Sequence, residues 1–173
     1  MKFPIKWNGY TIRPEKTSDA KGVKKLFDSL IIENADILRN KKDSLKVWQK
    51  KIQNALKEKK STILVAIKGK EIVGATNIAL NKGKASHVGE YGISISKNER
   101  AKGLGSKLTE TVISYAKEKL KGLELITLHV FKRNTNTIKL YEKLGFKIVA
   151  ELPKTIKVNN EYLNEYVMHL WIK

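Results

Sequence analysis

The sequence predicts one α/β domain of the α+β type, built on a mixed sheet, and three observations support this prediction. The chain has 173 residues, a length that suits one domain with a sizeable core. Hydrophobic residues make up 41%, enough for a packed interior although 30% of the residues are charged. Strand-like and helix-like patterns alternate in the order βααβββαβαββ, with no linker or repeat between them. We therefore expect a single domain over residues 1–173.

The N-terminal third contains a strand followed by two amphipathic helices. Residues 10–13 predict the strand, which ends at Pro14. Thr17, Ser18 or Asp19 can cap the helix that follows. Apolar residues then recur at helical spacing, Val23, Leu26, Phe27, Leu30 and Ile31 in the first helix and Leu45, Trp48, Ile52 and Leu56 in the second.

Three antiparallel strands come next, joined by short turns. Residues 61–68 predict a buried strand, and Gly69-Lys70 forms a tight turn into the strand of residues 71–80. A turn at residues 82–84 leads to the third strand, residues 87–96. The rest of the chain predicts a helix over residues 103–120, a strand over 125–131, a helix over 134–144 and a hairpin of residues 146–152 and 162–171.

The composition limits the classes of function. The formal net charge of +18 indicates an anionic partner, but only 4 of the 35 basic residues are arginines, Arg13, Arg39, Arg100 and Arg133. Few arginines and 8% aromatic residues disfavour a nucleic-acid partner. The absence of cysteine excludes disulfides, Cys-ligated zinc and thiol nucleophiles, and it suits a cytoplasmic location. We expect no signal peptide, no membrane partner and no metal site.

The most informative segment lies where the third of these strands runs into a helix, at residues 93–106. Gly103 and Gly105 stand one residue apart at the start of the helical pattern. Glycines let backbone N–H groups close on a phosphate, and a helix N-terminus adds about half a positive charge. The string is not a P-loop, and Leu108 stands where a dinucleotide fingerprint needs a small residue. The segment is therefore a candidate phosphate loop of another kind.

Two strings taken together resemble the GNAT superfamily of acetyl-CoA-dependent N-acetyltransferases. The first, Arg100-x-x-Gly103-x-Gly105, is similar to the pyrophosphate loop of that family. The second, Asn134-x-x-Thr137-Ile138-x-Leu140-Tyr141-Glu142-Lys143-Leu144-Gly145-Phe146, is similar to its helix-and-strand motif. The resemblance covers residues 90–150 closely. It implies a GNAT-like fold, a mixed, mostly antiparallel sheet flanked by about four helices.

The resemblance also implies acetyl-CoA as co-substrate and gives roles to named residues. Backbone groups of Ile93 and Ile95 would pair with the pantetheine arm, and the Ile95 N–H would face the thioester carbonyl as an oxyanion donor. Asn134 would hydrogen-bond the pantetheine or the acetyl region. Tyr141 would be the general acid that protonates the departing thiolate. The expected acetyl-CoA contacts are Ile93, Ser94, Ile95, Arg100, Ala101, Lys102, Gly103, Leu104, Gly105, Ser106 and Asn134.

The general base has two candidates, His129 and Glu90. Many GNAT enzymes that acetylate protein N-termini have a glutamate five residues before the motif asparagine, and this chain has His129 there. An imidazole can take a proton from an ammonium through water. Other branches of the superfamily place their base where Glu90 stands, on the strand that leads to Ile93. The residues alone do not decide between these two candidates.

The function implied by the resemblance is direct transfer of an acetyl group from acetyl-CoA to a primary amine. The acceptor would be a protein N-terminus or lysine, a polyamine or an amino-acid-like small molecule, entering between the first two helices and the final hairpin. The candidate acceptor contacts are Phe27, Ile31, Glu33, Asn34, Trp48 and residues 162–166. The alternatives are a catalytically silent acyl-CoA-binding regulatory module and a lysine-rich nucleic-acid-binding protein. A homodimer also stays open.

Overall fold

The structure, a computed structural model, describes residues 1–37 and 41–172 and contains an eight-stranded sheet. Its elements are β1 (Ile5–Trp7), β2 (Tyr10–Pro14), α1 (Ala20–Ile32), α2 (Leu45–Glu58), β3 (Ser61–Lys68), β4 (Glu71–Leu80), β5 (Val88–Ile95), α3 (Leu104–Lys119), β6 (Leu125–Phe131), α4 (Thr135–Lys143), β7 (Lys147–Val158) and β8 (Glu161–Trp171). The strand order is β1-β2-β3-β4-β5-β6-β8-β7, and only β5 and β6 pair in parallel. The predicted fold class is confirmed. No helix in the described part of the chain has the length and apolar character needed to span a bilayer.

The sequence prediction misses one strand and shortens another. β1 joins β2 through Asn8 and Gly9, whose φ angles are 43° and 79°. Two positive φ angles are the type I′ turn geometry that Asn-Gly favours. The three residues of β1 are too few to show an alternating pattern, so the Asn8-Gly9 turn is the only local feature that indicates this strand. β7 continues past Pro153 because the strand absorbs that residue in an irregularity of its pairing with β8.

Each face of the sheet is covered by its own helices. Leu64 of β3 packs in the larger core with Leu104 and Leu108 of α3. Its neighbour Val65 points the other way and packs in the smaller core with residues of α1 and α2, among them Trp48. Leu64 and Val65 are both fully buried, so the centre of the sheet is covered on both sides.

The parallel pair β5–β6 is joined only along its first half. The pairing runs from Val88 and Leu125 to Glu90 and Thr127. Past that point β5 still pairs with β4, and β6 still pairs with β8, as far as their ends. In the described residues no further pair joins β5 to β6. The sheet is therefore split there, and the split positions the candidate site.

Candidate functional site

A cavity of about 1310 Å³ opens at the split between β5 and β6. The N-terminal ends of α3 and α4 border it, and it continues across the sheet face that α1 and α2 cover. The predicted site residues that line it are Ile93, Ser94, Ile95, Arg100, Ala101, Gly103, Gly105, Ser106, His129, Asn134 and Tyr141. Three predicted residues do not line it: Glu90 and Lys102 are exposed, and Leu104 lies in the core.

The backbone of β5 presents hydrogen-bonding groups to this cavity. The Ser96 N–H donates to the Val73 carbonyl over 2.9 Å, so even-numbered residues of β5 bond with β4. Alternate residues of an antiparallel strand direct their backbone groups to opposite sides. Ile93 and Ile95 therefore direct theirs into the split. Arg100 Nε donates to the Ile95 carbonyl over 3.0 Å, so this carbonyl already has a partner. The N–H and the carbonyl of Ile93 and the N–H of Ile95 remain directed at the cavity.

The loop between β5 and α3 has the backbone geometry of an anion site. Ala101 and Gly103 have φ angles of 59° and 79°, and α3 begins at the next residue, Leu104. The N–H groups in the first turn of a helix have no intrahelical acceptor, and they carry the positive end of the helix dipole. A Cβ at Gly103 would lie 3.3 Å from Cη2 of Trp7, so β1 supports the loop from outside.

A buried carboxylate fixes the start of the loop. Glu99 accepts a hydrogen bond from the Tyr10 hydroxyl over 2.5 Å and from Lys68 Nζ over 2.9 and 3.0 Å. Lys102 Nζ donates to the same carboxylate over 3.3 Å. These bonds, that from Tyr10 above all, lower the pKa of Glu99 to about 2. Lys102 therefore holds the loop through Glu99 instead of facing the cavity.

Tyr141 of α4 combines a buried ring with a place in the cavity wall. Its ring packs edge-on against Tyr91 with centroids 5.7 Å apart, and it contacts Phe146 at 5.6 Å. Burial raises the pKa of Tyr141 to about 12, while its hydrogen bond with Tyr91 acts in the opposite direction. The hydroxyl therefore keeps its proton at neutral pH. It can donate a proton or a hydrogen bond, but it cannot serve as a base there.

Asn134 stands at the N-cap of α4 with a free amide. Its backbone is fixed, because the Asn134 N–H donates to the Phe131 carbonyl over 2.8 Å and its own carbonyl accepts from Ile138 over 3.1 Å. Its side chain makes no capping hydrogen bond. The amide is half-buried in the cavity wall, where it can bind a ligand.

His129 is oriented by a carboxylate that sequence reasoning missed. Its Nδ1 lies 3.4 Å from Oε2 of Glu165, which is 6% exposed and lines the same cavity. Thr155 Oγ1 donates to the other carboxylate oxygen over 3.1 Å. A carboxylate on Nδ1 favours the tautomer with a free Nε2, which can accept a proton. Glu90 has no comparable partner among the residues that the structure describes.

Glu15 is a second cavity residue that the sequence did not indicate. It follows β2 directly, and its backbone N–H donates to the Ile63 carbonyl over 3.1 Å. The side chain of Glu15 is 6% exposed and faces the cavity. Burial raises the pKa of Glu15 to about 7, helped by the charge of Asp19 and opposed by that of Arg13. A carboxyl of this kind in a cleft is typical of functional sites.

The expected acceptor contacts are met in part. Phe27 and Trp48 line the cavity with ring centroids 4.8 Å apart, and both also pack in the smaller core. Ile31, Glu33 and Asn34 do not line the cavity, although Glu33 is paired with the cavity residue Arg100. Of residues 162–166, only Glu165 lines the cavity. In residues 1–37 and 41–172 no three His, Asp or Glu side chains come close enough to hold a metal ion.

Comparison with known proteins identifies the family. The sequence model of the Acetyltransferase (GNAT) family matches residues 28–146. This chain belongs to the GNAT acetyltransferase family. The L-amino acid N-acetyltransferase AaaT of Escherichia coli (strain K12) is 30% identical over 123 residues, which are 70% of this chain and 74% of that protein.

Two solved structures illustrate the shared fold. A GNAT-family acetyltransferase from Streptococcus pneumoniae aligns with a TM-score of 0.86 at 23% identity, over 94% of this chain and 99% of that one. The structure of yncA from Salmonella typhimurium with acetyl-CoA has a TM-score of 0.86 at 18% identity, over 95% and 94% of the two chains. At these identities the likeness concerns the fold alone.

The buried carboxyl of Glu15 predicts a pH-dependent stability. Because the folded state holds this proton up to about pH 7 and the unfolded state releases it near its ordinary pKa of 4.5, the free energy of unfolding falls as pH rises between these values. We expect Glu15→Gln to raise the free energy of unfolding by about 2 kcal/mol at pH 8 and to change it little at pH 4. Urea denaturation at the two pH values measures this effect. An equal effect at both pH values, or destabilisation at pH 8, would contradict it; Glu110→Gln on the exposed side of α3 is the control.

Proposed function

We propose that the protein transfers the acetyl group of acetyl-CoA directly to the primary amine of a small, amino-acid-like acceptor. The proposal rests mainly on one observation: the unpaired edge of β5, the anion loop, Asn134, Tyr141 and His129 all border one cavity. Similarity to an L-amino acid N-acetyltransferase supports a small acceptor over a protein. The absence of cysteine suits a reducing compartment, and we include a cytoplasmic location in the proposal.

The binding half of the cavity fits acetyl-CoA. The pantetheine amides would pair with the two backbone groups of Ile93 and with the Ile95 N–H, as a strand adds to an open sheet edge. The pyrophosphate would lie against the N–H groups of residues 101–106, at the positive end of α3. The amide of Asn134 lies between these two regions in the cavity wall and would hold the arm near the acetyl group.

The reacting half supplies a proton acceptor, an oxyanion donor and a proton donor. His129 takes the proton from the acceptor ammonium through water, so that the neutral nitrogen can attack the acetyl carbon. As the C–N bond forms, the carbonyl oxygen becomes an oxyanion that the Ile95 N–H stabilises. Collapse of this intermediate breaks the C–S bond. Tyr141 donates its proton to the leaving sulfur. The attacking nitrogen loses its second proton through solvent, which reprotonates Tyr141, and His129 releases its proton to solvent, so the products are a neutral amide and the CoA thiol. Direct attack needs no thiol nucleophile, and the chain has none.

The proton donor is tested by Tyr141→Phe, which keeps the ring and its packing. We expect kcat to fall at least about tenfold, because the leaving thiolate loses its proton donor, while the Kd for acetyl-CoA changes less than about threefold. Release of free CoA thiol with an amine panel measures turnover, and calorimetry measures Kd. Tyr162→Phe on exposed β8 is the matched control. Unchanged turnover of Tyr141→Phe would remove its role, and binding of acetyl-CoA without turnover of any amine by the wild type would favour a regulatory module.

The proton acceptor is tested by comparing His129→Gln with Glu90→Gln. We expect His129→Gln to lower kcat/KM for the amine at least about tenfold, and to do so more than Glu90→Gln, because only His129 faces the cavity. Glu165→Gln should reproduce part of the His129 effect without changing the Kd for acetyl-CoA. A larger loss for Glu90→Gln than for His129→Gln would assign the base to Glu90 instead.

A further inference from the structure

Glu15 lies at the far end of a row of residues that crosses the sheet from the split. Gly92 of β5 is paired with Asn77 of β4, and Asn77 is paired with Ile63 of β3. Ile63 in turn accepts the hydrogen bond from the Glu15 N–H. All of these residues line the same cavity. The row spans three strand spacings, or ~14 Å, so Glu15 is too far from the split to exchange a proton with the reacting amine.

Among residues 1–37 and 41–172, no counter-charge contacts the Glu15 carboxylate. Among the described residues, its side chain accepts no hydrogen bond. The nearest cation, Arg13, is engaged elsewhere: its guanidinium donates to Asp19 over 2.7 and 2.8 Å and to the Pro14 carbonyl over 2.9 Å. Several other charged residues of the cavity are in ion pairs, Asp36 with Arg133, Lys51 with Asp43, Arg100 with Glu33 and His129 with Glu165. Lys139 and Lys143 also line the cavity, and they belong to α4 at the split, at the other end of the row from Glu15.

Apolar and small side chains form much of the cavity wall. Val23, Ile52 and Ala55 line the cavity from the side of the helices, and Ala75 and Ala79 line it from the sheet, next to the uncharged Asn77. Apolar side chains of this kind bind methylene groups. A buried carboxylate that has no ion-pair partner in the described part of the chain, in a cavity with apolar walls, is complementary to an aliphatic chain that ends in a cation.

We infer that Glu15 binds a cationic group at the far end of the acceptor, so that the preferred acceptor is an aliphatic amine with a second positive charge. A diamine or a basic amino acid has this chemistry. Glu15 is then a specificity-determining residue with no part in the chemical step. The inference rests on the proposed function, because the first amine of the acceptor must lie at the split where Tyr141 and His129 meet the acetyl group.

The test uses acceptors that differ only in the second charge. The pairs are 1,5-diaminopentane with 1-aminopentane, and L-lysine with L-norleucine. Calorimetry measures binding of each to the protein, and release of CoA thiol measures acetyl transfer, in wild type, Glu15→Gln and the control Glu110→Gln. We expect wild type and the control to prefer the acceptors with two ammonium groups by about tenfold or more in Kd and KM, and Glu15→Gln to lose that preference.

The two readouts separate the two proposals. If Glu15→Gln loses the binding preference, the role of Glu15 is supported, whether or not an acetyl group is transferred. If no acetyl group is transferred in that case, only the proposed function is contradicted. Acetyl transfer with the same preference in wild type and Glu15→Gln overturns the role of Glu15 and leaves the proposed function in place. If the wild type shows no preference for a second ammonium group and transfers no acetyl group, both proposals are overturned.

Discussion

The incomplete pairing of β5 with β6 is the constraint on which the rest of the structure depends. A strand inside a sheet normally has both edges bonded, and backbone groups left open in an interior require another partner. Past Glu90 and Thr127, β5 has β4 on one side and the cavity on the other. The same gap brings Tyr141 from α4 and His129 from β6 to one side of the β5 edge. Binding and chemistry therefore have a common structural origin.

The charge of the chain acts differently at long and short range. A formal charge of +18 attracts a polyanion such as CoA, although the contacts proposed for the loop at residues 101–106 are through backbone groups. Inside the cavity lies a group of the opposite charge, the buried carboxylate of Glu15, which has no ion-pair partner among the residues that the structure describes. Salt screens the surface charge within about 10 Å, whereas an enclosed carboxylate acts by contact. A basic protein can therefore select a cationic acceptor.

Most of the fold could be predicted from the sequence, because periodicity and turn residues act locally. The helical stripes of α1 and α2 and the Gly69-Lys70 turn lie where expected. The loop between β5 and α3 could be predicted for the same reason, because Gly103 and Gly105 mark it at the start of α3. β1 was too short to show a pattern.

The parts of the site that could not be predicted depend on contacts between distant residues. His129 meets Glu165 only because β6 pairs with β8 and brings Phe131 opposite Glu165, so that the two side chains are diagonal neighbours. In the sequence, Glu15 is a polar residue directly after a strand, and its neighbours in the chain do not predict that it is buried in the cavity. No local signal in the sequence indicates that His129 lines the cavity and Glu90 does not.

Binding of the pantetheine arm to the open edge of β5 is tested most directly by amide hydrogen exchange. Saturating acetyl-CoA should slow exchange of the Ile93 and Ile95 amides about tenfold or more. The Ser94 amide, which faces β4, should change little and serves as the internal control. Unchanged exchange at Ile93 and Ile95 in a protein saturated with acetyl-CoA would contradict binding of the arm at this edge.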